Sequence, residues 1–278
     1  MIPPAKDLIR RQVQLALDED IGSGDRTAAL IPADSHSQVE VICRQAAVLC
    51  GRAWFDEVFR LLNPEIVIEW LAADGDRVTA GSTLCRIEGE TRALLTGERT
   101  ALNYLQTLSA TATQARRYAD AVAGTGTRIL DTRKTLPGLR LQQKYAVLCG
   151  GCHNHRIGLY DAILIKENHI RAAGSVAFAV EAALAGAPGI EVEVEVESMQ
   201  ELQMAIDAGA QQVLLDNFDL GQLREAVALS AGRIRLEASG GITLEGIRAT
   251  AETGVDDISV GALTKDVQAV DLSMLFRE

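Results

Sequence analysis

Charged and small polar residues recur at the ends of short apolar runs in the second half of this 278-residue chain. Asp131, Arg133 and Lys134 follow the first run at 127–131, and Lys166 and Glu167 close the second at 161–167. Glu195 and Glu197 lie at the end of the third at 190–196, and Asp216 and Asn217 at the end of the fourth at 212–216. Glu237 and Ser239 lie in the fifth at 233–239, and Ser259 and Gly261 in the sixth at 256–261. Repetition at the same end of successive strands is the pattern of an α/β active site, which is built at the C-terminal strand ends. An arginine clamps a carboxylate or phosphate through two parallel bonds and a lysine adds a mobile point charge, so Arg133 beside Lys134 is an anion clamp. Glu195 and Asp216, on neighbouring strands, have the chemistry to share a divalent cation with waters and phosphate oxygens, although a structural ion-pair network uses the same residue types. ASGG, with Ser239, Gly240 and Gly241, and SVGA, with Ser259 and Gly261, offer small residues and backbone N–H groups to a phosphate near helix starts.

The third run, EVEVEVE over 191–197, alternates without a fault. A parallel strand is ordinarily apolar on both faces. Here one face is valine and the other glutamate. Glutamates turned into a barrel need cations or a metal; the other reading is an edge strand with its acidic face in water. Arg133, Lys134, Arg156 and Lys166 are available as compensating charge. HNHR places His155 beside Arg156, which reads as a further carboxylate ligand, while His155 is either a site residue or a support behind it. CGGCH over 149–153 matches a haem-attachment spacing, and with His155 it offers zinc ligands or a redox pair. The surrounding context supports none of these, and the segment reads as a tight glycine turn that aims Arg156.

These residues sit in a chain with 47% hydrophobic and 4% aromatic residues. Ala, Val, Leu and Ile therefore carry the packing, as in helices laid on parallel strands. The net charge of −11 disfavours a nucleic-acid-binding surface. Yet Arg128 to Arg171 holds eight Lys or Arg against three Asp or Glu, and three of the four histidines. An acidic chain with one basic segment points to a local anion site. No apolar run reaches the length of a membrane span, MIPPAKDLIRRQ lacks a signal core, and five cysteines do not read as a disulfide scaffold. A cytoplasmic location without membrane association is expected.

The spacing predicts a helix over 6–18 with Leu8, Ile9, Val13, Leu15, Ala16 and Leu17 on its apolar side. A strand over 39–50, a short helix over 54–62 and two short strands within 66–90 follow. A long helix over 91–122 repeats Leu95, Leu102, Leu105 and Leu108. Beyond it, the six runs alternate with helices in βα rhythm. Six strands do not demonstrate a closed eight-stranded barrel, and a doubly wound sheet has a similar rhythm, but GTGTRI precedes a strand where a dinucleotide fingerprint follows one. The expected fold is α/β, with a mixed N-terminal domain over 1–110 and a catalytic α/β domain over 111–278.

The stretches EDIGSGDRT, GERTALNYLQTLSATAT, DTRKTLPGLRLQQKYAVLCGG, NHRIGLYDAILIKENHI, VEVEVES, LLDNF and EASGGIT span both domains, and together they resemble the quinolinate phosphoribosyltransferase family. The resemblance implies a sandwich-like N-terminal domain and an incomplete TIM-like barrel of the type II phosphoribosyltransferase class, with the last residues packing back on the N-terminal domain. It implies transfer of a phosphoribosyl group from 5-phosphoribosyl 1-pyrophosphate to quinolinate, giving nicotinate mononucleotide, pyrophosphate and CO2 for NAD biosynthesis, with Mg2+. It implies a homodimer, or a multiple of dimers, in which Arg99 of GERTALN reaches the partner's quinolinate. By motif, Arg133 and Lys134 match the family's basic pair, His155 and Arg156 match its HR pair with Arg156 binding a quinolinate carboxylate, and Lys166 faces the donor and the dicarboxylate. Glu195 and Asp216 hold Mg2+ or ribose, and Ser239, Gly240, Gly241, Ser259 and Gly261 meet the 5-phosphate. Cys152, Tyr160 and Ser198 depart from the family pattern without removing a charge. Three rival readings are a related enzyme acting on nicotinate or another small acid, a Schiff-base aldolase using Lys166, and a non-enzymatic anion-binding scaffold.

Overall fold

The computed structural model describes residues 2–277. In chain order the elements are α1 (Lys6–Ile21), β1 (His36–Cys43), β2 (Ala47–Val48), α2 (Arg52–Leu62), β3 (Val67–Trp70), β4 (Arg77–Val78), β5 (Thr83–Glu90) and α3 (Thr91–Ala121). There follow β6 (Arg128–Leu130), α4 (Arg140–Cys149), β7 (Ile163–Ile165), α5 (Glu167–Ala173), α6 (Val176–Gly186), β8 (Val192–Val196) and α7 (Met199–Asp207). The chain closes with β9 (Gln212–Asp216), α8 (Leu220–Ser230), β10 (Arg235–Ser239), α9 (Ile247–Ala251), β11 (Asp257–Ser259), α10 (Ala262–Lys265) and β12 (Leu272–Phe276). They fold as two compact units: one takes the chain through Arg116, Leu141–Gly151 and the residues from Asp266 on, the other Arg117–Arg140 and Cys152–Lys265. No helix among the described residues is long and apolar enough to cross a membrane.

The first unit is built on an antiparallel sheet in the order β12-β1-β5-β3. In β1 the period of two puts Val39, Val41 and Cys43 in the core. Val39 and Val41 stand opposite Ile87 and Cys85 of β5, and Val41 also opposite Met274 of β12. The last strand is thus part of this sheet. Helix α2 buries Trp54, Phe55, Val58 and Phe59, and Phe55 meets Phe59 and Trp70 edge-on with ring centres 5.2 Å apart. Three sequence expectations need correction. On α1 the buried stripe is Ile9, Val13 and Leu17, at a strict spacing of four, and Leu15 faces out. On α3 Leu94, not Leu95, begins the buried series through Leu102, Leu105 and Leu108. The expected strand over 39–50 is two strands, because the chain turns after Cys43 and β2 pairs with β4 in a separate two-stranded sheet.

The second unit is a six-stranded parallel sheet in the order β6-β11-β10-β9-β8-β7. The first and second strands in sequence are therefore the two edges. Among the described residues an isolated parallel bridge joins Leu130 to His153. This is a barrel left open between its first and second strands, where the chain from His153 to Arg156 lies. All six expected runs form its strands. Register aligns Glu193 with Gln212, and Glu195 with Leu214. Leu214 in turn faces Glu237, Glu237 faces Asp257, and Asp257 faces Arg128. The valine face of β8 is buried at Val192, Val194 and Val196. The alternation therefore marks a strand whose acidic face joins a polar interior. Asp257, with no exposed surface, is held there by forks from Arg128 at 2.7 and 3.0 Å and from Arg235 at 2.7 and 3.2 Å. Such pairing is what a buried carboxylate requires.

Candidate active site

The C-terminal strand ends of the second unit carry the polar residues. Lys166 follows β7, and its Nζ pairs with Glu195 Oε2 on the neighbouring strand β8. Asp216 ends β9, where its Oδ2 accepts Asn217 Nδ2–H at 2.8 Å. Asn217 is left-handed (φ 58°), an uncommon conformation for a residue with a side chain. Its N–H donates to Ser239 O at 3.0 Å. Gly240 makes that packing possible: φ is +101°, and a Cβ there would lie 2.2 Å from Asn217 Oδ1. Ser259 ends β11, and Gly261 lies under the Lys134 side chain, its would-be Cβ 3.1 Å from Lys134 Cδ. Thr264 Oγ1 fixes the same lysine by donating to its carbonyl at 2.8 Å.

The helix after Gly241 begins only at Ile247, and that after Gly261 has four residues.

Beside this rim stand two arginines. Arg133 is partly buried, and its Nε is buried without a hydrogen-bond partner. The Arg156 guanidinium donates from Nη1 to Ala162 O at 3.1 Å. Burial and then the like charge of Arg133 hold Arg156 below the usual arginine range, while Glu193 and Asp161 oppose the shift. A guanidinium depressed by its neighbour, beside one with an unmatched buried donor, forms a site waiting for negative charge.

His155 lies beneath. Its ring Nδ1 accepts the Arg156 backbone N–H at 2.7 Å, and its Nε2 is 2.8 Å from Glu193 Oε2 and 3.5 Å from Glu237 Oε2. Asp131 accepts the His155 backbone N–H at 2.9 Å. Glu237 is fully buried; desolvation, and then the neighbouring Glu193 charge, push it up to about 8, against the pull of His155. His155, Glu193 and Glu237 place one ligand-type atom each within 4.8 Å of one another. They do not form a metal set, because an amide N–H can only donate. Nδ1 therefore holds the lone pair, and Nε2 holds the proton a metal would have to replace. Sequence reading passed over Glu193 and Gln212; the available signal was that Glu193 shares the acidic face of Glu195 two residues earlier. Arg99 is exposed on α3 in the first unit, with Glu98 Oε1 3.9 Å from its Nη2.

The model for the quinolinate phosphoribosyl transferase C-terminal domain matches residues 111–275, and that for the N-terminal domain matches residues 25–109. The chain belongs to the quinolinate phosphoribosyltransferase family. It is 41% identical over 257 residues to a probable nicotinate-nucleotide pyrophosphorylase (carboxylating) of Bacillus subtilis, covering 92% of this chain and 89% of that protein. It is 41% identical over 279 residues to the corresponding protein of Mycobacterium leprae, covering 97% and 96%. The solved nicotinate-nucleotide pyrophosphorylase of Francisella tularensis superposes with a TM-score of 0.96 at 46% identity, covering 100% of this chain and 98% of that one. A Pyrococcus furiosus structure at 18% identity, with a TM-score of 0.74, shares the fold.

Proposed function

We propose that this chain transfers the phosphoribosyl group of 5-phosphoribosyl 1-pyrophosphate to quinolinate, giving nicotinate mononucleotide, pyrophosphate and CO2 in NAD biosynthesis. The observation that carries this reading is the Arg133–Arg156 pair, two guanidinium groups held against their mutual repulsion with a buried Nε lacking a partner. A pyridine dicarboxylate supplies two adjacent negative charges to satisfy them. The family and the named relatives support the same reaction.

Arg133 and Arg156 bind and desolvate the dicarboxylate, and Lys134 and Lys166 extend the cationic rim toward the donor. Gly240, Gly241 and Gly261, with Ser239 and Ser259, receive the 5-phosphate on backbone and hydroxyl groups. Glu195 and Asp216 present carboxylate oxygens at the ends of adjacent strands, a hard donor set suited to Mg2+ that keeps several waters. Mg2+ held there would neutralise the departing pyrophosphate. As the anomeric carbon gains oxocarbenium character, the oriented pyridine nitrogen captures it; the new pyridinium then stabilises the electron pair left on the ring carbon as the adjacent carboxylate leaves as CO2, and a proton from water at that carbon completes the mononucleotide. Positioning and fixed charge carry the reaction, with no covalent enzyme intermediate.

Self-association as a homodimer, with Arg99 serving the partner's dicarboxylate, completes the proposal; its exposure on α3 supports this role. Five free, buried cysteines support a reducing compartment and hence the cytoplasm. The test mixes purified protein with quinolinate, the pyrophosphate donor and Mg2+, and measures mononucleotide and CO2. Formation of both is expected; absence of both from folded protein overturns the reading. Activity recovered on mixing R99A with K134A subunits tests the shared site, and no recovery after confirmed subunit exchange contradicts it.

A further inference from the structure

His155 is held from three sides within the second unit. Its backbone N–H reaches Asp131, its Nδ1 takes the Arg156 N–H, and its Nε2 faces Glu193. Glu193 is itself held: its Oε1 accepts Gln212 Nε2–H at 3.0 Å, and the same amide reaches Glu237 Oε2 at 3.3 Å. Glu193 and Gln212 stand directly opposite each other on β8 and β9, and both are buried. With both ring nitrogens engaged inside the chain, His155 has none left for a substrate. Its consequence lies one residue along. If Nε2 lost Glu193, only Glu237 Oε2 would still face it, at 3.5 Å and too far for a full hydrogen bond, so the ring would be free to protonate Nδ1, and the Arg156 N–H would lose its partner. The contact from Arg156 Nη1 to Ala162 O would remain, but the backbone that aims the guanidinium would not be fixed.

We propose that Glu193 and Gln212 are positioning residues that fix the His155 tautomer, and through its Nδ1 the backbone of Arg156, so that the Arg156 guanidinium meets one carboxylate of the dicarboxylate substrate. The proposal rests on the functional reading above. It separates Glu193 from Glu195 two residues on: Glu195 faces the donor side of the mouth, whereas Glu193 acts on the acceptor through His155. Its loss therefore falls on quinolinate and spares 5-phosphoribosyl 1-pyrophosphate. Supporting groups of this kind change function by about 10- to 100-fold where they have been removed from other sites.

The test combines nitrogen-15 NMR of histidine-labelled full-length protein, with His155 assigned by loss of its signal in His155→Asn, and steady-state kinetics. In the wild type, His155 is expected to carry its proton on Nε2, with Nδ1 as an acceptor. Glu193→Leu is expected to abolish that tautomer preference, raise the KM for quinolinate on the order of tenfold, and leave the KM for the donor within about twofold. Glu193→Gln keeps an acceptor for Nε2–H and is expected to restore most of both. A wild-type ring protonated on Nδ1, an equal rise in both KM values, or a Gln variant as impaired as the Leu variant would overturn the proposal. If Glu193→Leu does not fold, the wild-type tautomer and the Gln variant decide it. If the wild type shows no turnover of quinolinate, the functional reading falls, while a wild-type His155 ring with its proton on Nδ1 would overturn the positioning chain on its own.

Discussion

Replacing Arg133 with leucine should weaken the enzyme and strengthen the free protein. In the unliganded chain the Arg133 Nε is a buried donor without a partner, and the guanidinium depresses Arg156. An unsatisfied buried donor costs about 1–3 kcal/mol, so its removal together with the repulsion should offset the lost side-chain contacts. Each kcal/mol regained corresponds to roughly 2–4 °C in Tm for a chain of this order of size. With substrate the sign reverses. A hydrogen bond to a charged group contributes about 1.5–3 kcal/mol, and about 1.4 kcal/mol is tenfold, so kcat/KM for quinolinate should fall roughly 10- to 150-fold. The assay is differential scanning calorimetry without ligand, beside initial rates with each substrate varied in turn. A clear drop in Tm with an unchanged KM for quinolinate would refute the reasoning, for it would make Arg133 a structural cation.

Glu237 makes stability pH-dependent: its folded value, near 8, lies above the ordinary 4.5, so the stability it contributes is fully present below pH 4.5 and is lost as pH rises through about 8. The groups facing it are Glu193, His155, Gln212, Asp257 and Ser259. Thermal melts in chelator from pH 6 to 9 should therefore show a smaller loss for Glu237→Gln than for the wild type, and identical losses would contradict the assignment. Gly240→Ala combines a left-handed backbone with a Cβ 2.2 Å from Asn217 Oδ1, so a cost of about 1–3 kcal/mol and a raised KM for the phosphoribosyl donor are expected by denaturant titration and kinetics. Arg128→Met with Arg235→Met strands a fully buried carboxylate and should cost about 3–5 kcal/mol, whereas Asp257→Asn leaves two half-exposed cations and should cost less. Urea unfolding of the two variants gives the order, and the reverse order would argue against a buried anionic Asp257.

The six parallel strands were legible because each is a short apolar run closed by a polar or glycine turn, and no other element in a βα chain has that shape. EVEVEVE announced an acidic inner face in the same way. Local pattern failed where a neighbour decides. Nothing in Arg44, Gln45 and Ala46 marks a turn, and β2 leaves β1 only because β4 is there to pair with it. Leu94 and Leu95 are equivalent by type, and the packing of α3 selects the first. The cluster beneath Arg156 was out of reach because it depends on strand register. Glu193, Gln212 and Glu237 come from three strands, and His155 from the segment that fills the open edge.

On the proposed function, the mouth of this sheet receives two carboxylates at once. The most direct test compares kcat/KM for quinolinate and for nicotinate in the wild-type protein with 5-phosphoribosyl 1-pyrophosphate and Mg2+, measuring CO2 alongside mononucleotide. A strong preference for quinolinate, with one CO2 for each mononucleotide formed, is the predicted result. Equal or better turnover of nicotinate, without CO2, would contradict it.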